Sequence, residues 1–247
     1  MTVLNSHHSS LSVLPVISNF RSHQPNRSLH QPKNHAETFF AASSPYPEIY
    51  TYSTFGPYAT VSDFIEEFVE GRVRRDPTIT LFAIIDKTQT PAESMIGEGE
   101  KKEGTLAGFL GFLNTSRMNL CTEIGFVTIL PQFQRTHVTS NAVGLLLHYS
   151  LDLPSAGGLG LRRVVWQTNA LNAASVRAGE RMGFRKEGIL RWDRVLPSGK
   201  VGNGGEERVG DPRQGCPGRD TAILSLCWDD WESGGRERVD AIMARKT

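Results

Sequence analysis

The sequence carries little that would staple the chain, hold it in a membrane or draw it to a polyanion. Of its 247 residues only three are cysteine, Cys121, Cys216 and Cys227, and no two have CxxC spacing. An odd, scattered set excludes a disulfide framework and a cysteine zinc site, and points to a reducing compartment. The longest apolar runs, such as Leu145–Leu147 and Ile223–Leu226, fall far short of the roughly 18 residues that a membrane helix needs. No positive segment precedes the mildly apolar stretch Leu11–Phe20 and no small-residue cleavage pattern follows it, so a secretory signal is not expected. The formal net charge of +1 gives no field strong enough to recruit nucleic acid or an acidic membrane face. Five of the seven histidines precede Glu37 and no HxxxH pair falls on a helix, so no metal is expected. The expected location is cytoplasmic. A mitochondrial transit segment is the alternative, because no acidic residue precedes Glu37 while Arg21 and Arg27 lie among Ser and His.

What is present suits an ordinary globular core, with 38% hydrophobic and 21% charged residues. Residues 1–25 are rich in Ser, His, Asn and Pro without periodicity and read as a mobile extension. The domain is expected over 26–232, with a tail at 233–247. Arg27–Pro32 reads as a short strand and Lys33–Ala42 as a short helix. Val61, Phe64, Ile65, Phe68 and Val69 recur at helical spacing over Val61–Val73, with Ser62 and Asp63 as candidate caps. Thr78–Ile85, Gly104–Thr115 and Thr122–Leu130 have strand character and form a meander, interrupted by a charged insert at Thr90–Lys102. Helix, strand, helix then follow at Val138–Leu153, Leu161–Gln167 and Asn172–Met182, the last stopped by Gly183. Phe184–Leu196 and Asp220–Trp228 read as a closing strand pair, separated by a Gly- and Pro-rich loop over Pro197–Gly218. The expected class is α+β.

Two connections carry chemical promise. In the first, a strand ends at Pro131, the turn Gln134-Arg135-Thr136-His137-Val138-Thr139 follows, and a helix begins at once. First-turn N–H groups have no intrahelical partner and sit at the positive end of the dipole, so the turn can cradle a pyrophosphate. An ordinary strand-to-helix connection capped by Thr139 or Ser140 is the plain alternative. The second connection, Asn169–Ser175, opens a helix that closes on Glu180-Arg181-Met182-Gly183-Phe184. By contrast, Gly157-Gly158-Leu159-Gly160 precedes a strand and lacks GxGxxG spacing, so it is a linker and not a nucleotide fingerprint.

Taken in order, these pieces resemble the GNAT N-acetyltransferases, in particular the branch related to ribosomal-protein alanine acetyltransferases (RimJ/RimL-like). The correspondence runs through Glu123–Val127, Gln134–Thr136, Ala170–Ser175, Glu180–Phe184, Glu187–Arg191 and Arg219–Thr221 with Trp231, and upstream through Phe55–Tyr58 and Asp76-Pro77. It implies a mostly antiparallel, splayed sheet of about seven strands flanked by helices. It also implies acetyl-CoA as co-substrate, held by the strand Phe126, Val127, Thr128, Ile129, by the turn Gln134, Arg135, Thr136, His137, Val138, Thr139, and by the Asn172 amide. The family's turn carries Gly where this chain has His137 and Thr139.

Acetyl transfer to an amine needs a proton acceptor and a donor for the departing thiolate. Glu123 is a candidate base, or else a strand-edge charge paired with Lys or Arg. Ser175, by resemblance, is a candidate thiolate donor, or else a helix-terminal hydroxyl bonded to backbone. Asp193 is a third acid/base candidate, or a salt-bridge partner. The expected activity is N-acyl transfer from acetyl-CoA to a primary amine, a small molecule or a peptide N-terminus, by direct attack in a ternary complex. A non-catalytic acyl-CoA-binding regulatory module is the alternative; on either reading a monomer or homodimer is expected.

Overall fold

The computed structural model describes residues 11–18, 32–88 and 104–245. In chain order the strands are β1 (Leu11–Ser18), β2 (Thr80–Asp86), β3 (Thr105–Ser116), β4 (Cys121–Ile129), β5 (Arg163–Asn169), β6 (Arg185–Val195) and β7 (Gly218–Cys227). The helices are α1 (Pro32–Ser43), α2 (Val61–Asp63 running on in wider turns through Phe64–Arg74), α3 (His137–Leu151), α4 (Ala173–Arg181) and α5 (Arg236–Met243). The strands form one sheet in the order β1-β2-β3-β4-β5-β7-β6. Every neighbouring pair is antiparallel except β4 and β5. This is the mixed, mostly antiparallel α+β architecture expected from the sequence.

Strand alternation explains the layers. Residues three apart on a strand point to opposite faces, and Phe109 and Phe112 of β3 show it. Phe109 meets Phe39 of α1 at 4.7 Å and Phe68 of α2 at 5.4 Å between ring centroids, whereas Phe112 meets Tyr149 of α3 at 6.2 Å. Helices α1 and α2 therefore cover one face and α3 the other. Burial of α3 extends beyond a single stripe, because α5 packs on its outer side: Val239 is fully buried, and a side chain at Gly144 would collide with Met243.

The N-terminal end differs from the sequence reading. The stretch read as a mobile extension contains β1, paired along β2 with a register shift between Pro15 and Ile17. Pro15 removes an N–H that a central strand would need, and an edge strand with a bulge is where that loss is tolerated. The C-terminal tail, whose apolar positions Val239, Ile242 and Met243 allow a helix, supplies α5. Caps differ too. Thr60, not Ser62 or Asp63, caps α2: its hydroxyl accepts from Asp63 N–H at 3.1 Å while its own N–H donates to the Asp63 carboxylate at 2.9 Å. Thr136, not Thr139 or Ser140, caps α3. The strand read at Arg27–Pro32, save Pro32 itself, and the Thr90–Lys102 insert lie outside the described residues.

A candidate active site where two parallel strands part

β4 and β5 pair only over Cys121–Glu123 and Arg163–Val165, although β4 continues to Ile129 and β5 to Asn169. Beyond that point neither strand has a partner in the other. The divergence has a local cause in β4. The β3 pairing steps two residues, Phe109 to Gly111, while β4 steps three, Thr128 to Gly125. The extra residue is accommodated at Phe126, whose φ of 54° is left-handed. Opposite the bulge, Gly108 has φ 152° and its position leaves no room for a Cβ against the Thr128 carbonyl. Only glycine lets the β3 backbone approach that closely.

The gap opens into a cavity of about 330 Å³. Of the residues singled out from sequence, Glu123, Phe126, Val127, Thr128, Asn172 and Ser175 line it. Asp193 does not line it, but pairs with Arg194, which does. Ile129 and the turn Gln134–Thr139 do not line the cavity, but continue from the same edge of β4 into α3.

Glu123 lies at the point of divergence and is 7% exposed. Its Oε2 accepts a hydrogen bond from Asn114 Nδ2 at 2.8 Å. Asn114 adopts a left-handed φ of 51°, which Asn tolerates well. Gly125 leaves room for the carboxylate, since a Cβ there would lie 3.1 Å from Glu123 Oε1 and 2.9 Å from Leu113. Burial pushes the Glu123 pKa up; the Asn114 bond and the fields of Arg194 and Arg219 pull it back only in part. Among the described residues Glu123 has no ion-pair partner, so it is not the paired strand-edge charge of the plain reading.

Asn172 caps α4, its Oδ1 accepting from Ser175 N–H at 3.0 Å. That use of the oxygen leaves the amide hydrogens for other acceptors. Ser175 Oγ accepts from the Trp166 indole N–H at 3.1 Å. Indole donates and cannot accept, so the serine's own hydrogen stays available. Asp193 is more committed: its Oδ2 accepts from Thr221 Oγ1 at 2.7 Å and pairs with Arg194 Nε at 3.1 Å.

At the start of α3, Thr136 Oγ1 accepts the Val138 N–H at 3.3 Å and donates to the Phe133 carbonyl at 2.7 Å. Gln134 donates to the Ile129 carbonyl at 3.1 Å, tying the turn to the end of β4. Arg135 takes φ 63°. The N–H groups of Arg135, Thr136, His137 and Thr139 have no partner among the described residues. His137 stands where the family's turn carries glycine, but its ring lies inward, with Nε2 3.6 Å from the buried Asp86 carboxylate.

Arg72, Arg194, Arg219 and Asn114 also line the cavity, and sequence reasoning did not single them out as site residues. Arg219 was visible only within the Arg219–Thr221 resemblance. The Pro197–Gly218 loop is held across the rim, where Lys200 Nζ donates to the Tyr50 carbonyl and, at 3.2 Å, to that of Phe55.

The model of the acetyltransferase (GNAT) domain family matches residues 28–185, well over half of the chain. The chain belongs to the GNAT acetyltransferase family. Solved GNAT structures share its fold. A GCN5-related N-acetyltransferase from Brucella melitensis is 24% identical, with a TM-score of 0.70 over 98% of this chain and 86% of that one. A probable GNAT-family acetyltransferase from Chromobacterium violaceum is 22% identical, with a TM-score of 0.64 over 93% and 88%. Spermidine N-acetyltransferase from Vibrio cholerae, solved with CoA and spermine, is 13% identical, with a TM-score of 0.56 over 90% and 98%. At these identities the likeness concerns the fold alone. No curated protein matches the chain. None of its helices, among the described residues, is long and apolar enough to cross a membrane.

Proposed function

We propose that this GNAT protein transfers an acetyl group from acetyl-CoA to a primary amine within a ternary complex, with Glu123 as proton acceptor. The observation that carries the reading is the buried, raised-pKa Glu123 carboxylate at the mouth of the β4–β5 gap, without an ion-pair partner among the described residues. The free backbone edge of Phe126, Val127, Thr128 and Ile129 suits the pantetheine arm. The unpaired N–H groups of Arg135, Thr136, His137 and Thr139 suit the pyrophosphate, and the Asn172 amide hydrogens suit the same ligand. His137 fits this role because its ring is turned toward Asp86 and its N–H remains open.

Acetyl-CoA supplies the acyl group and departs as the thiol. Glu123 takes the proton that the amine gives up as its nitrogen bonds to the acyl carbon, directly or through one water. Ser175 gives its hydroxyl proton to the sulfur as the C–S bond breaks and regains one from solvent, while Glu123 releases the amine's proton to solvent; the Trp166 indole fixes the serine oxygen throughout. Asp193, already shared between Thr221 and Arg194, positions those groups in preference to exchanging protons itself. The order of Ala170–Ser175 and Glu180–Phe184 supports placement near the RimJ/RimL-like branch. Calorimetric titration with acetyl-CoA followed by a thiol-release assay over an amine panel tests the reading. Binding with amine-dependent thiol release is expected; binding without turnover of any amine would make the protein an acyl-CoA-binding module.

A further inference from the structure

Three arginines reach the cavity from three elements, Arg72 from α2, Arg194 from β6 and Arg219 from β7. Only Arg194 has an ion-pair partner among the described residues. Arg72 donates to Thr54 Oγ1 at 3.0 Å, and its guanidinium lies over the rings of Phe126 and Phe55 at 5.0 and 5.7 Å. Arg219 is 9% exposed and donates through Nε to Thr221 Oγ1 at 3.1 Å. Neither forms an ion pair among the described residues. Arg194 uses only its Nε on Asp193.

Two carboxylates share the lining. Asp76 commits Oδ1 to the Thr78 N–H and hydroxyl at 2.8 and 2.7 Å, and Glu123 sits in surroundings that disfavour its charge. The arginines also repel one another: burial first, then neighbouring guanidinium charge, pushes Arg72 and Arg219 below the ordinary arginine range. For Arg72 and Arg219, burial near like charge without an ion-pair partner is unfavourable unless a ligand completes the site. Guanidinium forks match the planar carboxylate geometry better than any other common anion except phosphate.

We propose that the amine acceptor carries a carboxylate, which seats on Arg72, Arg194 and Arg219 while its amino group points to Glu123. This rests on the reading above, with the amine reaching Glu123 from the part of the cavity that the arginines line. A polyamine is disfavoured in this cavity, because it would bring further positive charge to three arginines. The carboxylate could belong to a free amino acid or to an acidic residue at a peptide N-terminus, and one titration series separates the two.

With CoA saturating the full chain, so that phosphate sites are filled, N-acetylalanine is titrated against N-acetylalaninamide. An N-acetyl-aspartyl dipeptide amide is titrated against its asparaginyl counterpart. We expect the acid of at least one pair to bind about tenfold or more tightly than its neutral partner. The winning pair names the source of the carboxylate. In Arg194→Gln, whose side chain is 48% exposed and removable without disturbing the core, and in Arg72→Gln, the advantage should fall below about threefold. Equal binding of acid and neutral partner in both pairs would overturn the proposal, as would an acid advantage unchanged in both variants. These are binding measurements on product forms, so they decide the inference whether or not any amine is turned over; a lack of turnover would count against the transfer reading alone.

Discussion

Two charged groups in the same sheet contrast sharply. At the β5–β7–β6 rim, Glu187 is clamped by Arg163, with Nη1 at 2.7 Å and Nη2 at 2.5 Å, and accepts from Ser225 Oγ at 2.7 Å. Those bonds pull its carboxyl down to about 2. In the β4–β5 gap, Glu123 has one amide donor and no ion pair among the described residues, and burial pushes its carboxyl up. The rim pair is half-exposed and satisfied within the fold. The gap keeps its carboxylate and two of its three arginines without ionic partners among the described residues, an arrangement that serves a ligand better than it serves stability.

The largest effect should come from removing the gap carboxylate. Glu123→Gln keeps an acceptor for Asn114 but cannot take a proton, so kcat/KM for the amine should fall by about 10² to 10⁴ at pH 7, while the Kd for acetyl-CoA holds within about twofold. The same variant should be the more stable protein at high pH. A carboxyl raised above its ordinary value of 4.5 holds its proton more tightly when folded. Its favourable contribution is complete below 4.5 and is lost as pH rises through the folded value. Melting curves should thus show Glu123→Gln gaining over wild type at pH 8 and little at pH 4. A variant with unchanged kcat/KM would remove the contrast's functional meaning.

Next in size is the anion cradle. Thr139→Pro deletes one open N–H in the first turn of α3, where proline is tolerated, and loss of a bond to a charged acceptor is worth about 1.5–3 kcal/mol. Calorimetry should show acetyl-CoA binding weakened by about 10- to 150-fold, with the melting temperature serving as the check on folding. Asn172 separates two duties of one amide. Asn172→Asp retains the oxygen that caps α4 and should raise the KM for acetyl-CoA more than that for the amine. Asn172→Ala should add about 1 kcal/mol of instability from the lost cap. A selective effect on the amine would place Asn172 on the acceptor side.

The smallest effect belongs to the rim. Glu187→Gln should leave turnover unchanged and, because the pair is half-exposed and screened, lower stability by no more than about 1 kcal/mol at pH 7. Its contribution has the opposite pH sign to that of Glu123, being complete above 4.5 and lost as pH falls toward about 2. Urea midpoints at pH 7 and pH 2.5 would show the gap between variant and wild type closing.

Much of this contrast was legible before the fold was known, because local signals carry the strands and helix starts. Glu123 stood in an apolar strand segment, and Asn172 and Ser175 opened a helix after a Val-rich strand. Pairing was less legible. Nothing in Arg72-Val73-Arg74-Arg75 marks the first arginine as the one turned into a cavity, since a charged helix end usually faces water. Asn114 gives no warning of its left-handed turn toward Glu123, which depends on the β3–β4 bulges. The composition of residues 1–25 hid β1, which carries Pro15 at a bulged edge.

The contrast is tested most directly by following carboxyl carbons of ¹³C-glutamate-labelled protein through a pH titration by NMR, with Glu123→Gln and Glu187→Gln assigning the two signals. The account predicts that Glu187 titrates near 2 and Glu123 clearly above 4.5, moving higher still in Asn114→Ala as the one hydrogen bond that lowers it is lost. A Glu123 midpoint at or below 4.5 would contradict it.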